Sequence, residues 1–159
     1  MVNMCVEINT TRSISSQILR HRSFTFQEFS QRYANVDEPS CPHLRLQDPN
    51  NRQNSIDAVN ELDKTKLEDI IKINFQTTYN LYLNLLESGI AKECARQILP
   101  LASPTKLYMN GTLRSWLHYV DLRSSNGTQL EHQTIANQVK LLIKQHFPNS
   151  YLAFFTNDQ

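Results

Sequence analysis

Glycine, long apolar runs and an excess of either charge are all missing from this sequence. Only three of its 159 residues are glycine, which excludes a glycine-rich loop for cradling phosphate groups. The apolar stretches are a few residues long, far short of the roughly 18 that a membrane span needs, and the N-terminus has no basic region followed by an apolar run. We therefore expect a cytosolic protein without a membrane segment.

The charges and the cysteines exclude further kinds of site. Because 16 basic residues nearly balance 15 acidic ones, no overall field attracts nucleic acid or an anionic membrane, and any anion site must be local. Cys5, Cys41 and Cys94 are scattered, with no pair at the spacing of a metal or redox site. We expect three reduced thiols, no metal site, and neither a nucleic-acid nor a membrane partner.

The N-terminal third of the chain predicts two strands, a helix and a long loop. Residues 4–9 alternate weakly and indicate a strand, and Thr10-Thr11 can cap a helix that ends at Arg20-His21-Arg22. Residues 24–33 have the aromatic content and the period-2 pattern of a second strand. Residues 34–56 contain several prolines and few apolar residues, which is typical of a long functional or mobile loop.

The middle of the chain predicts two helices of unequal length. Residues 58–88 indicate a long amphipathic helix that closes at Gly89, and residues 91–99 indicate a shorter helix that stops at Pro100. The apolar stripe of the long helix consists of Leu67, Ile70, Ile71, Thr78, Leu81, Tyr82, Leu85 and Leu86.

The C-terminal third predicts one strand and two helices. Residues 105–109 indicate a strand that ends in an Asn110-Gly111 turn, and Thr112 can cap the helix that follows. Residues 129–146 indicate a further amphipathic helix, broken before Pro148. Taken with the elements before it, this order predicts one mixed α+β domain over residues 1–159, with short antiparallel strands and long helices. The helix after Thr112 is expected to bury Leu113, Trp116, Leu117 and Val120.

One cluster of basic and hydrogen-bonding residues is a candidate anion site. The predicted helix end brings Arg20, His21 and Arg22 near the next strand, whose alternation puts Glu28, Ser30 and Arg32 on one face. Guanidinium forks suit phosphate or carboxylate. The alternative is that these cations only offset the helix dipole and that Glu28 only pairs with an arginine.

Other candidate residues are weaker when taken alone. Arg96 and Arg123 each have the pattern of a solvated surface arginine, and His118, between apolar neighbours, is more often a packed histidine than a ligand. Cys41-Pro42-His43 lies in the proline-rich loop without a third group to orient the histidine, so we do not expect a catalytic cysteine.

Residues 17–33 resemble the signature of the flavin-dependent thymidylate synthases. Arg20-His21-Arg22, seven intervening residues and Ser30 have the spacing of that family, and Glu28, Arg32 and Tyr33 match as well. Residues 88–100, with Glu93-Cys94-Ala95-Arg96, resemble a second block of the family, and residues 113–123 a third. The resemblance covers nearly the whole chain in order.

This resemblance implies a reaction, cofactors and an assembly. The enzyme would methylate dUMP reductively to dTMP, with methylenetetrahydrofolate as carbon donor, FAD as hydride carrier and NADPH as reductant. The family acts as a homotetramer with active sites shared among subunits, which would bring together charged residues scattered along the chain. The expected location is the cytoplasm of a bacterium or of a virus-infected cell.

The resemblance also implies residue roles. Arg123 matches the arginine that faces uracil, so it is our candidate catalytic residue, stabilising negative charge on N3 and O4 to make C5 nucleophilic. The implied dUMP-binding residues are Gln17, Arg20, Glu28, Phe29, Ser30, Gln31, Arg32, Arg96 and Arg123. The implied FAD-binding residues are Arg20, His21, Arg22, Glu28, Thr112, Leu113, Arg114 and His118.

Two departures from the family pattern leave a second function open. Thr112 occupies a position that is usually asparagine, and the family's extra N-terminal strand and helix, with their flavin-binding histidine and serine, precede the point that matches Met1. The alternative is therefore a truncated, catalytically silent protein of the same fold that binds nucleotide or assembles with full-length subunits. A small nucleic-acid-binding module is disfavoured by the balanced charge and by Glu28 inside the basic patch.

Overall fold

The computed structural model describes residues 2–57 and 59–155, and it has the mixed α+β architecture expected from the sequence. A 3₁₀ turn over Arg96–Ile98 follows the third helix. None of the helices in the described ranges is long and apolar enough to cross a membrane. In chain order the elements are β1 (Asn3–Thr11), α1 (Arg12–Ile18), β2 (Thr25–Glu28), β3 (Leu46–Gln47), β4 (Ser55–Ile56), α2 (Glu61–Glu87), α3 (Lys92–Ala95), β5 (Pro104–Thr112), α4 (Leu113–Arg123), α5 (Leu130–His146) and α6 (Pro148–Phe155).

The larger sheet has β5 at its centre, with β1 and β2 on either side, all antiparallel. β1 pairs with β5 along its full length, from Asn3 opposite Thr112 to Thr11 opposite Pro104, and β2 pairs with the other edge. α1, α4 and α5 pack against this sheet around Trp116, whose indole N–H donates to the Met4 carbonyl at 2.9 Å. The buried core includes Ile8, Ile14, Ile18, Phe24, Leu107, Met109, Trp116, Tyr119, Val120, Ala136, Val139 and Ile143.

The second strand is shorter than predicted. β2 ends at Glu28, and the chain then turns, with the backbone N–H groups of Tyr33 and Ala34 donating to the Ser30 carbonyl at 3.2 and 3.3 Å. The turn satisfies these backbone groups locally, so the alternation of a strand stops. The expectation that Glu28, Ser30 and Arg32 share one strand face is therefore wrong.

The prediction of a turn at Asn110-Gly111 is also wrong, because β5 continues through both residues to Thr112. Asn110 pairs with Cys5 on one side and Thr25 on the other. Gly111 is buried, and a Cβ at this position would lie 2.5 Å from Cδ1 of Phe24, so the glycine makes room for a core ring rather than for a turn. Thr112 caps α4 as expected, its hydroxyl accepting a hydrogen bond from the Ser115 backbone N–H at 3.2 Å.

The helices lie close to their predicted positions, but the side chains that they bury differ from those predicted. α2 closes at Gly89, which has φ +79°, but Leu67, Ile70 and Leu81 of its predicted stripe are 48, 63 and 51% exposed, whereas Tyr82 is fully buried. The helix expected over residues 91–99 is the short α3 followed by the 3₁₀ turn. The break before Pro148 is present, yet the chain resumes as α6, since proline is well suited to a first helical position.

Candidate active site

The last turn of α4 brings Arg123 into contact with His21, which lies in the segment after α1. The Arg123 Nε–H donates to His21 Nε2 at 3.0 Å, so Nε2 is the unprotonated nitrogen of the ring. Burial, together with the charge of Arg123, lowers the pKa of His21 to about 4. The histidine is therefore neutral at pH 7 and orients the guanidinium group. The two Nη groups of Arg123 have no partner among the described residues, which leaves a free donor fork.

A directional chain of hydrogen bonds lies beside this pair. Gln17 Nε2 donates to Gln129 Oε1 at 2.7 Å, so Gln17 Oε1 faces His132 Nδ1, at 3.4 Å. His132 Nδ1 must then carry the proton, and its Nε2 accepts from the Tyr119 hydroxyl at 3.0 Å. Burial raises the pKa of Tyr119, and burial with the charge of Arg123 lowers that of His132 to about 4. Both side chains are neutral at pH 7, and the chain fixes the orientation of the Gln17 amide.

A cavity of about 550 Å³, here called the Arg123 cavity, opens beside these residues. Arg20 and Arg123 provide two positive charges, and among the described residues no aspartate or glutamate lines it. The cavity is therefore suited to a ligand with anionic or carbonyl oxygens. Its lining consists of Ser13, Ser16, Gln17, Arg20, Gln53, Arg123, Gly127 and Gln129.

Glu28 lies at the end of β2, and one of its carboxylate oxygens has three partners. Oε1 accepts from Ser15 Oγ at 2.5 Å and from Thr105 Oγ1 at 3.0 Å, and it pairs with Arg12 Nη1 at 2.7 Å. The arginine pairing considered as an alternative is thus present, although with Arg12 instead of a residue of the signature. Oε2 has no partner in the part of the chain that the structure describes and remains available to a ligand.

The turn after β2 directs Arg32 away from Glu28. Its Nη2 and Nε atoms lie 2.9 and 3.1 Å from Glu93 Oε2 on α3, and both side chains are about half exposed. The Ser30 hydroxyl accepts weakly from the Arg32 backbone N–H at 3.4 Å. Arg96 begins the 3₁₀ turn nearby, and its side chain has no partner within residues 2–57 and 59–155. Because the Arg32–Glu93 pair is exposed, Arg32 can exchange Glu93 for an anionic ligand at little cost. Arg96 is half-buried and has no carboxylate partner among the described residues.

Phe29 and Gln31 line a different cavity, also of about 550 Å³, here called the Gln31 cavity. Gln31 is 7% exposed, and its Nε2 has no acceptor among the described residues. An unsatisfied buried donor costs about 1–3 kcal/mol. A ligand oxygen at this amide would remove that cost, so the residue fits the nucleotide-binding role that the resemblance implies.

The remaining implied flavin contacts lie along α4. Arg114 is roughly 14 Å from Arg123 along the helix axis, next to the cap residue Thr112 and the half-buried Leu113. His118 is exposed, with its ring edge-on to Phe154 at 5.5 Å. Arg20, Arg22 and Arg114 are exposed guanidinium groups without an ion-pair partner in the described ranges, and each is therefore available to a phosphate oxygen.

Within one chain the structure therefore gathers part of the expected set. Gln17, Arg20, His21 and Arg123 come together, whereas the residues after β2 line other surfaces and the start of α4 lies at the far end of that helix. Sequence reasoning missed Tyr119, His132, Gln53 and Gln129. The helical spacing of His132, Ile135, Ala136 and Val139 could have placed His132 on the buried face of α5.

Neither a metal centre nor a reactive thiol stands out in this region. No three His, Cys, Asp or Glu side chains of the described residues could together hold a metal ion. Cys41 donates to the Pro42 carbonyl at 3.6 Å, and burial raises the pKa of its thiol, which keeps it protonated. His43 Nε2 lies 3.7 Å from Asp57 Oδ1.

Comparison with known proteins identifies relatives along most of the chain. The family model for the thymidylate synthase complementing protein matches residues 1–149. The chain is 53% identical over 147 residues to the probable flavin-dependent thymidylate synthase of Paramecium bursaria Chlorella virus 1, covering 92% of this chain and 68% of that protein. It is 49% identical over 148 residues to the flavin-dependent thymidylate synthase of Synechocystis sp., covering 93% and 69%.

The solved structures that resemble this chain share its fold. The UMP/dUMP methylase PolB from Streptomyces cacaoi, bound with 5-Br dUMP, matches with a TM-score of 0.85 and 23% identity, over 97% of this chain and 72% of that one. The same enzyme bound with 5-Br UMP matches with a TM-score of 0.84 and 24% identity, over 96% and 73%.

Proposed function

The chain belongs to the thymidylate synthase complementing protein family, that of the flavin-dependent thymidylate synthases, and from this membership we propose that it methylates dUMP at C5 to give dTMP. It is accordingly an enzyme and a methyltransferase that depends on a flavin. The observation that carries this function is the Arg123–His21 pair at the edge of the Arg123 cavity. A fixed cation facing a cavity that no carboxylate of the described residues lines is suited to the activation of a uracil ring.

Arg123 activates the pyrimidine. Its Nε–H is used on His21, so the two free Nη groups form a planar fork that matches the N3 and O4 atoms of uracil. A pyrimidine that is ionised at N3 and carries negative charge on N3 and O4 is richer in electrons at C5, and a fixed cation beside these two atoms stabilises that nucleophilic form. The step needs no enzyme thiol, in agreement with the protonated Cys41.

The nucleotide-binding residues fall into two groups that two subunits would supply. Gln17, Arg20 and Arg123 of one subunit hold the base and sugar in the Arg123 cavity. A neighbour binds the rest of dUMP through Glu28, Phe29, Ser30, Gln31, Arg32 and Arg96, and the unsatisfied Gln31 amide and the guanidinium groups of Arg32 and Arg96 supply donors for its oxygens. A homotetramer with shared sites brings the groups together, and the exposed apolar face of α2 supports such an assembly.

The flavin is FAD, and the free guanidinium groups of Arg20, Arg22 and Arg114 suit its diphosphate. When bound, FAD supplies the hydride that reduces the transferred carbon to a methyl group. His21, Glu28, Thr112, Leu113 and His118 complete its binding residues. Methylenetetrahydrofolate provides the carbon and NADPH the electrons. The whole chain acts as one domain in the cytoplasm.

The purified protein, supplied with FAD, NADPH, methylenetetrahydrofolate and dUMP, is expected to form dTMP, detected by chromatography and mass spectrometry. A parallel test is growth without thymidine of a bacterial host that lacks its own synthase. Soluble protein that binds flavin and dUMP but forms no dTMP would overturn this function and support the catalytically silent alternative, which no feature of the structure favours.

A further inference from the structure

A second cavity, here called the basic cavity, lies between the β3–β4 hairpin and the N-terminus of α5. It also has a volume of about 550 Å³. The residues that matter for its chemistry are Arg45, Arg52, Gln53, Asn126, Thr128 and Gln129. Among the described residues, no aspartate or glutamate lines it.

Arg45 lines this cavity and is held in place by two contacts. Its side chain is 10% exposed, and Nη2 lies 2.8 Å from Glu131 Oε1 at the start of α5. Its Nε donates to Ser55 Oγ on β4 at 2.8 Å. The pair ties the hairpin to α5 and leaves the charge of Arg45 balanced, so Arg45 is structural and a ligand must use another cation.

Arg52 is that cation. It lies at the exposed tip of the hairpin and has no hydrogen-bond or ion-pair partner within the described ranges. The amides of Gln53 and Asn126 have no side-chain partner there either, whereas the Gln47 amide is used on three hairpin carbonyls. The N-terminal end of α5, whose cap residue Gln129 makes no side-chain capping bond, adds partial positive charge. The free groups are therefore donors around one unpaired charge.

The basic cavity adjoins the Arg123 cavity, because Gln53 and Gln129 line both. Gln129 stands at the boundary and also holds Gln17, at 2.7 Å. A ligand that reaches the Arg123 cavity can thus extend past these two glutamines to Arg52 without meeting a carboxylate of the cavity linings.

We propose that the basic cavity binds the anionic tail of a co-substrate, through carboxylate or phosphate oxygens held by Arg52, Gln53 and Asn126. The inference rests on the proposed function, since it names where a co-substrate of that reaction is anchored. The same chemistry occurs in two sources: the glutamate carboxylates of a reduced folate and the 2′-phosphate of the nicotinamide dinucleotide.

A binding experiment tests this without turnover. The probes are p-aminobenzoyl-triglutamate for the carboxylate source and 2′-phospho-ADP-ribose for the phosphate source, each titrated calorimetrically into the flavin-loaded protein. One probe is expected to bind about tenfold more weakly to Arg52→Gln, with most affinity kept in Arg52→Lys. Lys144→Gln, on the exposed side of α5, removes one charge elsewhere and is expected to change nothing.

Kinetics then identify the source. If the tail is a folate tail, Arg52→Gln raises the KM for polyglutamated methylenetetrahydrofolate and abolishes its advantage over the monoglutamate, with kcat and the KM for dUMP unchanged. If it is the dinucleotide phosphate, the variant instead loses the preference for NADPH over NADH.

The inference is overturned if neither probe distinguishes the wild type from Arg52→Gln, or if Lys144→Gln weakens binding equally. Because binding is measured without turnover, a failure of this inference can be distinguished from a failure of the proposed function. If Arg52→Gln loses probe binding and the wild-type protein forms no dTMP, the proposed function is overturned but the anion site is confirmed.

Discussion

A single hydrogen bond, from Arg123 Nε to His21 Nε2, sets the geometry of the candidate active site. It works because His21 is neutral: a protonated imidazole could not accept from a guanidinium group and would repel it. Burial of His21 next to the positive charge keeps it neutral, so its ring remains able to accept the Arg123 N–H. His21 of the signature therefore acts by orienting Arg123, which lies about a hundred residues further along the chain.

Replacing Arg123 with alanine is expected to lower kcat for dTMP formation by at least about a hundredfold, because a fixed cation at developing negative charge contributes on that order. The free energy of unfolding should change little, since the side chain points into a cavity. Leu122→Ala, at the exposed neighbouring position, is the control and should keep full activity. Normal turnover by Arg123→Ala would show that another group activates the uracil.

The buried His132 and the half-buried His21 predict a pH dependence of stability. The pKa of His132 falls from 6.5 to about 4 on folding, so below pH 6.5 the unfolded chain binds a proton that the native state does not. Stability is complete above pH 6.5 and is lost as the pH falls towards 4, by on the order of 2 kcal/mol for the fully buried His132. His21 adds a loss of the same sign.

Guanidinium-induced unfolding between pH 7 and pH 4.5 measures this loss. His132→Gln is expected to flatten the dependence, and His146→Gln, at an exposed position on the same helix, to leave it unchanged. A wild-type protein equally stable at both pH values would contradict the assignment of His132 and His21 as neutral in the native state.

At the scale of elements, β5 connects the parts of the fold. It pairs with β1 and β2, and its continuation into α4 through the Thr112 cap sets the direction in which Arg123 is carried. Its close packing depends on Gly111, over which the Phe24 ring lies, 4.8 Å from the Trp116 ring. We therefore expect β5 to tolerate substitution poorly at Gly111, within the Asn110-Gly111 pair that is typical of a turn.

Gly111→Ala is expected to destabilise the protein by about 1–3 kcal/mol, because the new methyl group overlaps a ring held in the core. Gly127→Ala is the matched control: its Cβ would meet nothing within 4 Å, and its effect should be within about 0.5 kcal/mol of zero. Chemical denaturation of the two variants measures both. Equal stability of the two variants would show that Phe24 moves aside freely.

At the scale of the whole molecule, one chain leaves its site incomplete. The residues after β2 and those at the start of α4 do not converge on the Arg123 cavity, and α2 presents an apolar face without a partner among the described residues. The proposed assembly would account for both features, because subunits that bury α2 between them would complete each other's sites.

Ile73→Lys, at a position 68% exposed on α2, is expected to reduce the assembly from a mass of about four chains of 18.5 kDa to smaller species. The introduced charge would have to be buried at the interface, which is costly. Light scattering after gel filtration measures the mass, and Gln145→Lys on α5 is the control. A monomeric wild-type protein would remove this explanation of the divided site.

Several features could be predicted from the sequence because they depend on local physics. The apolar periods of α4 and α5, the Thr112 cap and the Gly89 helix end need only the spacing and backbone freedom of neighbouring residues. The signature at residues 17–33 likewise indicated the family, since the identity and order of side chains carry that information.

The sequence by itself thus determined the long helices α2, α4 and α5, the fold class and the family. Only the tertiary structure decided that β2 stops at Glu28, that Gly111 accommodates a ring and that His21 supports Arg123. Those outcomes depend on contacts between residues far apart in the chain, such as Glu28 with Arg12 and Thr105. Local propensity carries no information about such contacts, because they form only when separate elements pack against one another.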